Sequence, residues 1–420
     1  MTAIQPSPVP APPPGTSASG RLRADEDLLR TGLQQAPHPP ERLTVLTCPQ
    51  PPPPVVVFDP GDDAAHTRAA LTTHHPTAGR ATIHPTPGTD STLTLAHNLL
   101  DALGKTTPIT GYRATDPAPA WTLAAAWILA LPVSRLTVLR AHLLSARALN
   151  DLLALRARTD VRLYLVCHQP KLSAALERTL TRTGYDMADA DAVLSQDDRT
   201  PPHALRTGQA TPDSGEWIDL PALTTLTSYE SSPTCGCTAP TAAERGFRPP
   251  ALPSRIAAQV AHRLDRTAHP HLAAHLAAAV ATAASTSQLN TARIQDLAPD
   301  GTTLTLHDRH NVRQGCTTHP VPPWAQPLLR ATAFTHLLAT GERGSALFTD
   351  PLGAHSLPSL KDFAERLKLR PPQPPPLRRK LRRGQQPTAT IWPVSGAHHA
   401  RRWTAEEDMQ GCPQPPRHRP

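Results

Sequence analysis

The stretch RLTVLRAHLLSARALNDLLALRARTDVRLYLV (residues 135–166) decides the fold class. Its β-type run LTVL leads into a helix with leucines at helical spacing, and a second apolar strand, VRLYLV, follows. Strands separated by helices of about ten to fifteen residues are typical of a parallel sheet that is covered by helices on both faces. The stretch therefore predicts an α/β domain.

The same alternation continues on both sides of this stretch. It gives two short buried strands, VVVF (55–58) and ATIH (81–84), and three helices, at 91–104, 120–131 and 172–184. We place the α/β domain at 42–200. Residues 1–41 and 371–420 are rich in proline, which blocks regular hydrogen bonding, so we expect both to be disordered tails.

A second folded region is predicted at 251–370, after a loop-rich linker at 201–250. It opens with Ala-rich helical segments, SRIAAQVAHRLDRTA and HPHLAAHLAAAVATAAS. The alternating strand GTTLTLHD (301–308) follows, then a turn, a strand edge and a helix. These patterns predict a mainly α domain with a small antiparallel sheet.

The charge of the chain favours contact with polyanions, above all nucleic acid. The net charge is +8, and the segment 365–386 contains eight Lys or Arg against one Glu. The alternative explanation is a GC-rich genome that favours Arg, Ala and Pro codons. The basic residues of this segment are the main candidates for DNA contact: Arg366, Lys368, Arg370, Arg378, Arg379, Lys380, Arg382 and Arg383.

No metal, cofactor or membrane segment is expected. Cys235 and Cys237 form a lone Cys-x-Cys pair, which more often consists of free thiols than of zinc ligands. The histidines, such as the pair His269 and His271, lack Cys or carboxylate partners at ligand spacing. The N-terminus carries no export signal, and apolar runs such as 121–131 are shorter than the ~20 residues that span a bilayer. We therefore expect a cytoplasmic protein with reduced thiols.

The loop after the first strand, DPGDDAAHT (59–67), stands where a phosphate-binding loop would be. Such a loop needs glycines, so that its amides can wrap the phosphates, and a lysine for the β- and γ-phosphates. If Thr67 takes the hydroxyl position, His66 replaces the lysine, and a proline and an alanine replace the glycines. Asp62 and Asp63 add negative charge, so the loop is not in working form.

The strand at 136–139 ends without the carboxylates that hold magnesium and orient water in nucleotide hydrolases. Leu139 and Arg140 stand at those two positions, although the Ala and His that often follow are present as Ala141 and His142. We expect His142 to be a packed, hydrogen-bonded residue and not a ligand.

The segments ATIHPTPGTDSTLTLAHNLLDALGKTTP (81–108) and 136–176 together resemble the AAA-type ATPases that assist transposition and DNA secretion. In that family the first segment, a strand, a Pro-Thr stretch and a helix ending in Leu-Gly, lies between the two nucleotide motifs. The resemblance implies a P-loop-ATPase-like parallel sheet in which both motifs are lost. The alternative is a doubly wound domain of no particular family.

The second region resembles the catalytic domain of tyrosine recombinases over 284–308, 319–331 and 346–369. That family opens the segment before its hairpin with Thr-Gly-x-Arg, but residues 286–289 read Thr-Ser-Gln-Leu and offer no guanidinium. Its hairpin lysine could be matched by Arg309 or Arg313, which are further candidates for DNA contact.

The remaining recombinase motifs are also depleted. The His-x-Leu-Arg-His box falls near residues 375–379 and keeps only Leu377 and Arg378. All four tyrosines (112, 164, 185 and 229) precede this region, so no phosphotyrosine can form downstream. No catalytic residue is therefore expected.

Both resemblances are to families that act on mobile DNA. The sequence predicts a non-enzymatic DNA-associated accessory protein of a plasmid or transposable element, which binds DNA without sequence preference and can have a protein partner in a mobile-element complex. One alternative is a protein-interaction scaffold without nucleic-acid contact. Another is an enzyme with an unrecognised site.

Overall fold

The structure, a computed structural model, describes residues 51–85, 91–106, 111–113, 115–131, 133–194, 215–225, 239–241, 244, 252–307, 316–354 and 358–373. Several predicted features lie outside these residues. They are the tail 1–41, most of 371–420, the Cys235–Cys237 pair, and the candidate DNA contacts Arg309, Arg313, Arg378, Arg379, Lys380, Arg382 and Arg383. The described residues all belong to one compact unit.

The first part of the structure is a parallel sheet, as predicted, and it has five strands. The strands are β1 (Val55–Phe58), β2 (Arg80–Ile83), β3 (Arg135–Val138), β4 (Arg162–Cys167) and β5 (Asp186–Asp189). Their order across the sheet is β2-β3-β4-β1-β5, and every neighbouring pair is parallel. The chain crosses from β1 to the far edge, returns strand by strand to β4, and then passes over β1 to reach β5.

Among the described residues of this part, six α-helices connect and cover these strands. They are α1 (Ala64–Thr72), α2 (Thr92–Ala102), α3 (Ala118–Ala130), α4 (Ala146–Thr159), α5 (Ala174–Thr183) and α6 (Ala190–Leu194). Helices α2, α4 and α5 begin after Ser91, Ser145 and Ser173, whose hydroxyls accept backbone N–H groups of the first turn. The sequence did not predict α1, β5 or α6, because none of them carries an apolar periodicity.

The two faces of the sheet bury different amounts of apolar surface. Because strand side chains alternate, Val56 and Leu165 lie in the large core with α2, α3, α4 and α5. Val57 and Val166 face the opposite way, into a small cluster with Leu139 and residues of α1 and α6. The second face is therefore covered by a thin layer, and few apolar contacts hold α1 and α6 in place.

The second part is mainly helical and contains a small antiparallel sheet, as predicted. Its elements, in chain order, are β6 (Ile218–Asp219), α7 (Ser254–Asp265), α8 (Pro270–Thr282), α9 (Thr286–Leu289), β7 (Thr303–Leu306), β8 (Thr317–Pro320), α10 (Gln326–Ala339), α11 (Leu360–Arg366) and β9 (Leu369–Arg370). Strands β7 and β8 form the antiparallel hairpin, and β6 pairs with β9 in a short parallel ladder.

Residues 215–225 lie within the linker predicted at 201–250, but in the structure they form part of the folded protein. Here β6 and a following 3-10 turn place Ile218, Leu220 and Leu223 in the hydrophobic core. The partner strand β9 lies about 150 residues later, so the local sequence gives no strand signal. This segment belongs to the fold and does not merely connect two parts of it.

One hydrophobic core joins the two parts. Helix α3 is buried on nearly every side, and it packs against α2, α4 and α10. Lys105, which follows α2, is buried with its Nζ 3.7 Å from the centre of the Trp127 ring. The same Nζ donates to the carbonyl and the carboxylate of Asp265, and Trp127 Nε1 donates to the carbonyl of Ala268. These polar contacts lock the end of α7 onto the α/β part.

Among the described residues, no helix has the length and apolar character that crossing a membrane requires.

Candidate functional site

The carboxyl ends of the parallel strands bring charged side chains together at one edge of the sheet. Strands β1 and β4 are neighbours, but the chain leaves them in opposite directions, toward β2 and toward β5. In open α/β sheets such a switch point forms the crevice where ligands bind. Here the edge holds the loop after β1, Arg140 and His142 after β3, His168 after β4 and Asp191 after β5.

His66 in α1 is the centre of this edge. Its Nδ1 lies 3.1 Å from Asp59 Oδ1, and its Nε2 lies 3.0 Å from Asp191 Oδ1. The hydrogen bond with Asp191 is the largest cause that raises the pKa of His66; burial acts against it, and Asp59 adds to the rise. Since both ring nitrogens face carboxylate oxygens, the imidazolium form can donate to both. The side chain thus ties α1 to the ends of β1 and β5.

Asp59 is the buried acceptor of this network. Its side chain is only 5 % exposed, and its Oδ2 accepts the backbone N–H of Asp63. His168 Nδ1 lies 3.2 Å from this same oxygen and 3.2 Å from Asp62 Oδ1. Asp59 is therefore hydrogen-bonded to the Asp63 amide and the His66 ring, and a second histidine ring, that of His168, lies close to it.

Three backbone amides of the loop after β1, those of Asp62, Asp63 and Ala65, donate to acceptors within the loop itself. Asp62 N–H donates to the Asp59 carbonyl, and Ala65 N–H donates to the Asp63 carboxylate at 2.7 Å. Asp63 is the N-cap of α1, so a side-chain carboxylate stands at the helix terminus where an anion would bind. These N–H groups have acceptors from within the chain.

The end of β3 contributes a cation and a neutral histidine. Arg140 adopts a left-handed backbone conformation (φ 51°), and its Nη2 lies 3.5 Å from Asp62 Oδ2. His142 Nδ1 accepts the backbone N–H of His168 at 3.3 Å. Burial, then the charges of His168 and Arg140, lower the pKa of His142. His142 is packed and hydrogen-bonded, as expected from the sequence.

The edge is therefore a closed network of carboxylates, histidines and one arginine. Across the described part of the chain, no three His, Cys, Asp or Glu side chains are grouped so that they could hold a metal ion. Cys167 at the end of β4 is buried, and burial raises the pKa of its thiol to about 11, which suppresses the nucleophilic thiolate.

The segment 286–289, which the sequence analysis compared with the start of a recombinase motif, forms the short helix α9. Its cap Ser285 accepts the N–H of Gln288, and Ser287, Gln288 and Leu289 are all buried. These three buried side chains cannot extend toward a phosphate on the surface.

A second group of titratable side chains lies inside the helical part. Burial lowers the pKa of His269, His271 and His275 to about 4. Their rings pack on other rings: Tyr112 stacks on His269, and His275 stacks on Phe348 at 4.8 Å. These histidines are neutral parts of the core at neutral pH. The sequence pattern gave no sign that they meet.

Three of the candidate DNA contacts are described, and two of them lie together. Arg366 is the exposed last residue of α11. Lys368 Nζ lies 5.9 Å and Arg370 Cζ 5.0 Å from the centre of the Trp217 ring, and Arg370 also pairs with Asp219 at 2.8 Å. The sequence does not predict a role for Trp217, because Trp-Ile-Asp-Leu (217–220) lacks a strand-like alternation and lies within the predicted linker.

Comparison with known proteins adds no family to this geometry: no family model matches the sequence, and no curated protein matches it significantly.

Proposed function

We propose that this chain is a non-enzymatic DNA-associated accessory protein, of the kind that serves a plasmid or a transposable element. The proposal rests on the hydrogen-bonded side chains at the carboxyl ends of the parallel strands. A histidine paired with two carboxylates stands where a nucleotide-hydrolysing relative would need a lysine that is free to meet phosphate.

The negative charge at this edge of the sheet also argues against nucleotide binding and hydrolysis. Asp59, Asp62, Asp63 and Asp191 surround the position at which phosphates would enter, and bound phosphates would meet their negative charge. Arg140 and Leu139 replace the carboxylates that would hold magnesium. On this proposal the α/β part is a P-loop-type domain that keeps the sheet and no longer carries out the reaction.

The distribution of charge supports DNA association through the C-terminal segment. Residues 374–420 contain nine Lys or Arg against three Asp or Glu, so they carry six of the eight net positive charges of the chain. Clustered basic residues neutralise backbone phosphates and release counterions, which favours binding to any DNA sequence. The exposed Arg366 and Lys368 extend this charge onto the folded surface.

The test is binding of the full chain to a labelled duplex of random sequence, measured by fluorescence anisotropy at one moderate salt concentration. Replacing Arg378, Arg379, Arg382 and Arg383 by Gln should weaken binding to all duplexes alike. The matched control replaces another four arginines of the same segment, Arg401, Arg402, Arg417 and Arg419, and should weaken binding less.

Two results would count against the proposal. A wild-type chain that does not bind the duplex would leave the protein-interaction scaffold as the better explanation. Magnesium-dependent ATP hydrolysis that disappears on mutation of residues 60–67 would contradict the non-enzymatic part.

A further inference from the structure

A partly exposed tryptophan lies beside the β6–β9 ladder, with two cations near its ring. Asp219 of β6 and Arg370 of β9 are directly paired across the ladder. Trp217 precedes β6, and its ring centre lies 5.0 Å from Arg370 Cζ and 5.9 Å from the Nζ of Lys368, which precedes β9. The other pair of the ladder, Ile218 and Leu369, is buried in the core. Trp217 is 39 % exposed, so part of its side chain is open to solvent.

This ladder is held rigidly from below by one buried side chain. Arg263 of α7 donates to the carbonyls of Leu367 and Lys368 through Nη1 and to that of Glu216 through Nη2, at 2.8 to 3.1 Å. The backbone bond from Ile218 N–H to Lys368 carbonyl closes the ladder at 2.9 Å. The backbone on both sides of Trp217 and Lys368 is therefore fixed before any partner arrives.

The cations beside Trp217 belong, in sequence, to the basic segment 365–386. Lys368 and Arg370 are the last cations before the Pro-rich residues 371–376, and Arg378 to Arg383 follow directly. Arg370 is neutralised in part by Asp219, whereas Lys368 and Arg366 are exposed. In sequence, the basic residues Arg378–Arg383 thus begin eight residues after Arg370, which lies beside the Trp217 ring.

From this arrangement we propose that Trp217 is a stacking platform for an unpaired base, so that the chain prefers single-stranded over double-stranded DNA. The inference rests on the proposed DNA association and names the form of DNA that is bound. A base stacks on an aromatic ring only if its own face is free, and in a duplex both faces are covered by neighbouring bases. Lys368 and Arg366 contact the phosphates that flank this base.

The experiment measures binding to a labelled oligothymidylate of about 20 nucleotides and to a duplex of equal length. Trp217→Ala should weaken binding of the single strand by at least about fivefold, the lower limit for one stacked base, and leave the affinity for the duplex unchanged. Trp217→Phe should retain most of the affinity. Met187→Ala, which truncates another exposed apolar side chain on β5 and not in this ladder, is the matched control.

A second readout does not depend on the stability of the Ala variant. Oligothymidylate should quench part of the tryptophan fluorescence of the wild type, and this part should be missing in Trp217→Phe. If wild type and Trp217→Ala bind the single strand equally and quenching is the same in Trp217→Phe, the platform is refuted while DNA association stands. If the wild type binds neither DNA, the proposed function fails, and the platform fails with it.

Discussion

His275 offers a direct test of how the buried histidines limit the stability of the fold in acid. Burial lowers its pKa to about 4, with the charge of the neighbouring His271 as a smaller cause, whereas an unfolded histidine titrates near 6.5. Because the folded pKa is depressed, the unfolded state takes up the proton first. Stability is therefore unaffected above pH 6.5 and decreases as pH falls from 6.5 toward 4.

The two pKa values give the size of this effect. At pH 5 the unfolded histidine is almost fully protonated and the folded one mostly neutral, which lowers the free energy of unfolding by about 2 kcal/mol. His275→Leu removes the titrating group at similar volume. The difference in free energy of unfolding between pH 7 and pH 5, measured by urea denaturation, should shrink by about 2 kcal/mol relative to wild type. The exposed His84 supplies the control, His84→Leu, which should leave the difference unchanged. Equal pH dependence in wild type and His275→Leu would refute the reasoning.

Three further outcomes follow from the contacts. His66→Ala should destabilise the fold by about 1–2 kcal/mol at pH 6 and by less at pH 9. Because the pKa of His66 is raised in the folded state, its stabilising effect is complete below pH 6.5 and is lost as pH rises through the folded pKa. An equal effect of the substitution at both pH values, measured by urea denaturation, would argue against a charged His66. Lys105→Ala should lower the free energy of unfolding by about 3 kcal/mol, since it removes the packing on Trp127 and the hydrogen bonds to Asp265. Lys105→Met keeps the packing and should lower it by about 1 kcal/mol. Thermal unfolding that finds Lys105→Met the less stable of the two variants would contradict this. MgATP at millimolar concentration should not raise the unfolding temperature of the protein. A ligand that binds the folded state and is present at 100 times its Kd would raise the free energy of unfolding by about 2.7 kcal/mol, which such a measurement detects. A magnesium-dependent rise in the unfolding temperature would show that the sheet edge still binds nucleotide.

The strands and helices that the sequence predicted are those with several apolar residues to bury. Strands β1 to β4 are short runs with buried apolar residues, α2, α4 and α5 carry apolar residues at helical spacing, and α3 is buried along nearly its whole length. Helix α1 was missed because its only buried residue is Ala70, and its start depends on the Asp63 cap. Strand β5 was missed because it lies at the sheet edge with mostly exposed side chains.

The site could be predicted only in part, because its contacts join distant positions. The sequence identified His66 as the residue in place of a lysine, but its partner Asp191 lies 125 residues later, after an unpredicted strand. The sequence predicts Lys368 and Arg370 as DNA contacts from their charge alone. Their aromatic neighbour, Trp217, lay in a segment taken for a linker, since a two-residue strand is fixed by its long-range partner and not by its own pattern.

The central claim is that the chain binds DNA without sequence preference through its basic C-terminal segment. The salt dependence of DNA binding tests this claim most directly. The logarithm of the association constant for a random duplex should fall linearly with the logarithm of the salt concentration. Replacing Arg378, Arg379, Lys380, Arg382 and Arg383 by Gln should flatten this slope by about 0.9 for each phosphate that the variant no longer neutralises, equally for every duplex sequence. An unchanged affinity and slope in this variant would contradict the account.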